Sequence, residues 1–206
     1  MRVVLATRNA GKVVELQRIL AADPALARLD IQLVGADDVA DAPEVEETGD
    51  TFAANALLKA QALAAHTGWP AIADDSGLCV DALGGDPGVR SARWAGEPSD
   101  DAANLALVLT QVAEVPAEGR GAHFTCAAAA VVPGVGERVV EALMEGTLAT
   151  APRGDGGFGY DPIFVPLGER RTTAEMAPAE KDAISHRGKA FRALAPILAE
   201  LLRDRR

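Results

Sequence analysis

Two consecutive aspartates, Asp74 and Asp75, close an apolar run of the sequence, and three glutamates, Glu44, Glu46 and Glu47, precede them. Adjacent carboxylates repel each other and resist burial unless a cation neutralises them. Magnesium is such a cation, because it takes oxygen ligands, usually one or two carboxylates together with phosphate oxygens. The aspartate pair therefore reads as a metal site, and the glutamates as further ligands or as a solvated acidic loop. A second kind of chemistry is suggested by Thr7, Arg8, Asn9, Ala10, Gly11 and Lys12. Small polar residues and a lysine at the first turn of a helix gather backbone N–H groups, the positive end of the helix dipole and an ammonium, which suits a phosphate. The segment lacks the glycine that a Walker loop carries before Gly11-Lys12, and Val13 stands where that loop needs Ser or Thr, so an ordinary capped helix is the competing reading. In residues 154–161, glycines permit close approach of main chain to a ligand and an aromatic ring can stack on a purine; a flexible loop is the alternative. Lys181 and the run Ser185-His186-Arg187 add donors for a base or a phosphate.

The net charge of −10 argues against a broad nucleic-acid-binding face but leaves room for a small anion in a local cationic pocket. Of the twenty basic residues sixteen are Arg, leaving Lys12, Lys59, Lys181 and Lys189. Where arginine supplies the ordinary surface charge, the few compact ammoniums mark candidate phosphate contacts. No stretch approaches the roughly 20 apolar residues that span a bilayer, and no cleavage-site pattern follows the first residues, so a cytoplasmic protein with no membrane partner is expected. Cys79 and Cys126 lie in apolar runs, where a free thiol behaves as a small buried hydrophobe.

Hydrophobic spacing outlines the elements that must position these groups. Residues 3–6 read as a strand, and Asn9 caps a helix over 10–22 carrying Val13, Leu16, Ile19 and Leu20. A second strand is predicted at 31–34. Asp50 is the expected cap of a helix over 51–66 that ends at Gly68 and projects Asn55 and Lys59 from one side. Residues 71–74 and 78–81 read as two short strands about a tight turn at Asp75-Ser76-Gly77. Ser99 is expected to cap a helix reaching about 112, and 121–132 with 138–150 to form a long antiparallel pair joined through 133–136. A strand at 162–165 follows. Ser185 is expected to begin the last helix, with Phe191, Leu194, Ile197, Leu198 and Leu201 facing the core and Arg203, Arg205 and Arg206 at its negative end. The whole, residues 1–206, reads as one α/β domain with a mixed sheet.

In sequence order, Thr7 to Lys12, Glu46-Glu47-Thr48-Gly49 with Thr51-Phe52, Ala73-Asp74-Asp75-Ser76-Gly77-Leu78, Pro87-Gly88-Val89-Arg90-Ser91-Ala92-Arg93, Phe158-Gly159-Tyr160-Asp161-Pro162 and Ser185-His186-Arg187-Gly188 span almost the whole chain. Together they resemble the inosine triphosphate pyrophosphatase family, the noncanonical purine dITP/XTP pyrophosphatases. Arg8 stands where many members carry a small residue, and Trp94 where many carry tyrosine. The resemblance implies two lobes flanking a central active-site cleft, a homodimer, and magnesium-dependent hydrolysis between the α and β phosphates of inosine and xanthine triphosphates. It implies Asp75 as proton acceptor and metal ligand and Glu46 as its metal-holding partner, with Glu44 or Glu47 in that place if the alignment slips. Thr7, Arg8, Asn9, Ala10, Gly11, Lys12 and Lys59 would meet the triphosphate. Ser76, Phe158, Gly159, Tyr160, Asp161, Lys181, His186 and Arg187 would line the rest of the nucleotide site, with Arg187 or backbone donors reading the 6-oxo edge of the base. A related pyrophosphatase for modified pyrimidine triphosphates and a nucleotide sensor without catalysis are the rival readings.

Overall fold

The computed structural model describes residues 1–27, 29 and 31–205. Among them a single mixed sheet has the order β2-β1-β3-β4-β5-β6, with β1 at Arg2–Leu5, β2 at Gln32–Gly35, β3 at Ala71–Val80, β4 at Gly121–Val132, β5 at Gly136–Leu148 and β6 at Phe164–Pro166. Strand β1 pairs in parallel with β2 and β3, while β5 and β6 are antiparallel. Residues 133–135 alone join β4 to β5, too short a link for a crossover, so these long strands form an antiparallel hairpin. The helices are α1 (Ala10–Ala21), α2 (Pro24–Ala27), α3 (Phe52–Thr67), α4 (Asp101–Gln111), α5 (Pro178–Ile184) and α6 (His186–Asp204). The mixed α/β class read from the sequence is the class observed.

The chain divides into two compact units. The first comprises Met1–Asp75, Cys126–Ala142 and Arg187–Arg206, and the second Ser76–Thr125 and Leu143–His186, so that β3, β4 and β5 supply residues to both. In the first unit, alternation along the strands sorts side chains onto two faces. Val3, Leu5 and Ile72 pack with Leu16 and Ile19 of α1 and Phe191, Leu194 and Leu198 of α6. Val4, Ala71 and Ala73 pack instead with Ala56, Ala60 and Leu63 of α3. The small residues of this second face let α3 lie close to the sheet. Cys126 is buried in the first of these clusters, as expected of a structural thiol, and burial pushes its ionisation up. The second unit has its own core of Leu78, Val80, Leu105, Val108, Phe124, Ile163 and Phe164.

Several boundaries differ from the sequence reading. Asp75-Ser76-Gly77 is not a turn: β3 is continuous from Ala71 to Val80. Asp75, Ser76 and Gly77 were the turn signal, but in place of a turn the strand continues, and partners far along the chain neutralise Asp74 and Asp75 where they stand. Thr51, not Asp50, caps α3, its Oγ1 accepting from the Ala54 N–H at 3.1 Å. Asp100, not Ser99, caps α4, with Oδ1 3.0 Å from the Ala103 nitrogen, while the Ser99 hydroxyl donates to the Ala92 carbonyl. Helix α5 was not foreseen; the Ser185 N–H closes it on the Lys181 carbonyl at 2.8 Å, and the last helix begins at His186. Pro162 falls in a short 3-10 turn, Asp161–Ile163, which delays β6 to Phe164. At the end of α6, Arg203 Nε donates to the Ala199 carbonyl and Arg205 to that of Gly68, and Arg206 lies outside the described residues.

Candidate functional site

Because neighbouring strand residues point to opposite faces, Asp74 and Asp75 enter different environments within the first unit. Asp74 follows Ile72 onto the face covered by α1 and α6. There its Oδ2 receives the Lys12 ammonium at 3.1 Å and the Arg187 Nε and Nη2 at 3.3 and 3.2 Å. Burial alone would raise the proton affinity of this wholly buried carboxyl, but Lys12 and Arg187, with help from Lys59, outweigh it and hold Asp74 well below the usual range. Arg187 Nη1 donates at 2.6 Å to Glu15, a buried carboxylate one turn beyond Lys12 on α1.

Asp75 follows Ala73 onto the α3 face. Its Oδ1 lies 3.3 Å from Lys59 Nζ, and its Oδ2 accepts from Asn55 Nδ2 at 3.2 Å. The same lysine donates to Glu47 Oε1 at 2.6 Å. Burial raises the Asp75 pKa above its ordinary 3.8; Lys59 opposes the shift and the nearby Glu47 adds to it. Lys59 is pushed down by burial, yet Asp75, Asp74 and Glu47 leave it net raised and firmly cationic. Four acids and three bases thus form two ion-pair sets on the two faces of β3, Glu15 and Asp74 with Lys12 and Arg187 on one, and Glu47 and Asp75 with Lys59 on the other.

The loop before α1 is built as expected. Thr7 Oγ1 accepts from the Asn9 N–H at 3.3 Å, and Asn9 Oδ1 caps the helix by accepting from the Lys12 N–H at 3.1 Å. Arg8 turns elsewhere, donating to the Ala42 carbonyl at 3.0 Å and lying 3.6 Å from Asp37. Its departure from the small residue common in the resembling family thus ties the loop to the acidic segment. Within that segment, Glu46 is exposed and makes no ion pair among the described residues, whereas Glu47 is engaged by Lys59. Among the described residues no three His, Cys, Asp or Glu side chains form a ready-made metal site. What Asp75 and its acidic neighbours offer is an oxygen-only donor set already gathered around one cationic group, Lys59. That set fits a hard divalent ion sharing phosphate oxygens.

A second cluster lies in the second unit. Asp161, buried, accepts from the Phe158 N–H at 2.9 Å, the Thr173 hydroxyl at 2.7 Å and the Lys181 ammonium at 2.5 Å, and Lys181 Nζ sits 5.2 Å from the centre of the Phe158 ring. The carboxylate packs so closely on Gly157 that a Cβ there would lie 2.0 Å from Asp161 Oδ2. Gly159 donates its N–H to Asp101 at 3.0 Å. The buried Tyr160 hydroxyl donates to the Ser91 carbonyl at 2.8 Å, and burial, with Asp101 adding, pushes its ionisation up. His186 stacks on Phe124 with ring centres 4.7 Å apart and planes 8° from parallel. Ser76 is half-buried on β3.

The predicted residues therefore fall into two groups, one of carboxylates and cations and one that braces a glycine-rich loop. Arg187, expected to face the base, donates from Nε and Nη2 to Asp74 and from Nη1 to Glu15. Two members of the first group were absent from the site reading. Glu15 carried a signal, a charge on the buried stripe of α1 three residues after Lys12, and Asn55 carried another, its i,i+4 relation to Lys59.

A family model described as the Ham1 family matches residues 3–197. The chain is 62% identical over 201 residues to a Streptomyces coelicolor protein named dITP/XTP pyrophosphatase, with 98% of each chain covered. It is 53% identical over 200 residues to a Mycobacterium tuberculosis protein of the same name, covering 97% of this chain and 96% of that one. Among solved structures, a HAM1 protein from Coxiella burnetii superposes with a TM-score of 0.84 at 40% identity, covering 97% and 99% of the two chains. The Mycobacterium abscessus nucleoside-triphosphatase / dITP/XTP pyrophosphatase does so with a TM-score of 0.75 at 51% identity, covering 95% and 100%.

Proposed function

The chain belongs to the Ham1 family, and on that premise we propose that it hydrolyses nucleoside triphosphates of non-standard purines, those of inosine, deoxyinosine and xanthine, to the monophosphate and pyrophosphate. The observation that carries this reading is the pair of aspartates on β3. One, Asp74, is held ionised by Lys12 and Arg187, and the next, Asp75, is buried against Lys59 with its proton affinity raised. A buried carboxylate whose proton affinity exceeds that of a solvated one is suited to accept a proton from an attacking water. The triphosphate carries about four negative charges near neutral pH, and preorganised cations lower the cost of bringing a nucleophile to it. Thr7 to Lys12 and Lys59 are the groups we assign to that task. Lys12 can exchange its contact with Asp74 for a phosphate oxygen because Arg187 still compensates the carboxylate.

Asp75 would hold magnesium together with the acidic segment, where Glu46, the position the resemblance favours, and Glu44 cost no ion pair, whereas Glu47 is engaged by Lys59. When bound, the ion supplies charge neutralisation on the polyphosphate and the leaving pyrophosphate. In the second unit we assign Ser76, Phe158, Gly159, Tyr160, Asp161, Lys181 and His186 to the nucleoside end of the substrate, with Tyr160 and Asp161 acting by holding their loop. Selection rests on the 6-oxo group, which accepts hydrogen bonds, against the 6-amino group of adenine, which donates them; buried donors left unpaired by the wrong base penalise it strongly. We further propose a cytoplasmic homodimer acting without nucleic acid or membrane. The net charge of −10 supports the first exclusion, and among the described residues no helix is long and apolar enough to cross a membrane.

The test is a pyrophosphate-release assay with inosine, xanthine, guanosine and adenosine triphosphates, with and without magnesium. Turnover of the first two that requires the metal is expected. Equal rates on all four reject base selection, and release of orthophosphate in place of pyrophosphate rejects the reaction.

A further inference from the structure

Asn55 is wholly buried on the first turns of α3, a place where an amide needs partners on both its faces. Its Oδ1 accepts from the Gly49 N–H at 2.8 Å. A backbone N–H can only donate, which fixes the amide oxygen toward Gly49 and turns the NH2 toward Asp75 Oδ2, 3.2 Å away. The side chain is therefore a two-sided link between the segment that carries Glu46 and Glu47 and the carboxylate assigned as proton acceptor. Gly49 is fitted to it: a Cβ there would stand 2.7 Å from Asn55 Oδ1 and 2.8 Å from the Ala54 Cβ. One turn further on, Lys59 makes a second link between the same two parts, from Glu47 to Asp75.

We infer that Asn55, through its contact with Gly49, is a positioning residue that sets the acidic segment and the Asp75 carboxylate at a fixed separation, a role distinct from binding the nucleotide. This rests on the reaction proposed above. Lys59 is a charged link that substrate or metal can draw upon. Asn55 is neutral, takes no part in proton or charge transfer, and keeps the two parts in place while the ionic contacts rearrange. Only an amide fits: ionised Asp would accept from Gly49 but face Asp75 with a like charge, and Ala or Leu would leave both partners unmet.

The experiment uses full-length protein and the variants Asn55→Asp, Asn55→Ala and Gly49→Ala. Steady-state kinetics with inosine triphosphate are measured beside amide hydrogen exchange of the protein alone. Misplacement of reacting groups by about 1 Å can cost about a hundredfold in rate, so Asn55→Asp is expected to lower kcat between about tenfold and a hundredfold with KM held within about threefold. In Asn55→Ala, peptides spanning residues 46–50 exchange faster while those of α1 and α6 keep their protection. Gly49→Ala, which retains the Asn55 side chain but crowds its Oδ1 and the Ala54 Cβ, reproduces the kcat loss, and it decides the matter if either Asn55 variant fails to fold. Wild-type kcat in Asn55→Asp or in Gly49→Ala overturns the inference, as does unchanged exchange of 46–50. If the wild-type protein releases no pyrophosphate, the proposed function fails, and the exchange data still decide whether Asn55 fastens the segment.

Discussion

The two clusters are both built from buried carboxylates and cations, yet their charge is arranged differently. In the second unit one aspartate, Asp161, meets one lysine, Lys181, and its remaining acceptor capacity goes to Thr173 and to the Phe158 N–H. In the first unit four acids share three bases, and individual cations serve two carboxylates at once: Lys59 serves Glu47 and Asp75, and Arg187 serves Glu15 and Asp74. A balanced pair is a brace, since any exchange of partner costs desolvation without return. Around Lys59, where two carboxylates share one ammonium, the set is unbalanced, and an incoming cation completes its charge. The contrast is visible in Asp75, whose proton affinity is raised despite the lysine beside it.

If that contrast holds, the largest effect comes from Asp75→Asn, which keeps the shape and the Asn55 contact but removes the proton acceptor. Loss of a positioned base costs about a hundredfold to ten-thousandfold in kcat, and the thermal midpoint should stay close to that of the wild type. Turnover near the wild-type rate refutes the assignment. Asp161→Ala should act the other way round. It strips the Lys181 ammonium of its carboxylate and the Phe158 N–H of its acceptor in a buried setting, a change that typically costs about 3–5 kcal/mol of stability. Chemical denaturation measures it. What activity remains should show a raised KM more than a lowered kcat, and a stable variant with selectively lost kcat would move Asp161 into the reactive group.

The third expectation concerns acid. Asp74 has a folded pKa below its ordinary 3.8, so the stability it contributes is fully present above that value and is lost as pH falls toward the folded pKa. Thermal midpoints of the wild type and of Asp74→Asn should therefore be well separated near neutrality and converge below about pH 4. Parallel curves would show that Lys12 and Arg187 do not hold this carboxylate ionised.

The same contrast explains what could be read from the sequence. Caps and stops depend on neighbours, so Asn9 and Gly68 were legible, and the misplaced caps at Thr51 and Asp100 are off by one residue. Long strands separated by Pro133-Gly134 were equally plain. The continuity of β3 through Asp74 and Asp75 was not, because the charges that make it tolerable come from residues 12, 59 and 187, and nothing in the local pattern announces them. Motif order pointed to residues that the fold gathers into two clusters. It could not show that Arg187 spends its donors on carboxylates, or that the aspartate pair splits between two faces of the sheet.

The smallest effect isolates one hydrogen bond of the bracing cluster. Tyr160 has its ring in the core of the second unit with Phe164 and Ile163, and its hydroxyl reaches the Ser91 carbonyl. Ser91 is itself fastened to β3, its Oγ accepting from the Leu78 N–H at 2.9 Å. Tyr160→Phe keeps the ring and deletes only the hydroxyl, at a cost of about 1 kcal/mol in stability for a buried neutral hydrogen bond. Because the loop keeps its Asp161 contacts, kcat should stay within about twofold of the wild type and KM should rise at most slightly, since only uniform binding is touched. A kcat loss of about tenfold or more without a change in stability would mean that the phenol meets the reacting groups, and the division into a reactive and a bracing cluster would have to be redrawn around it.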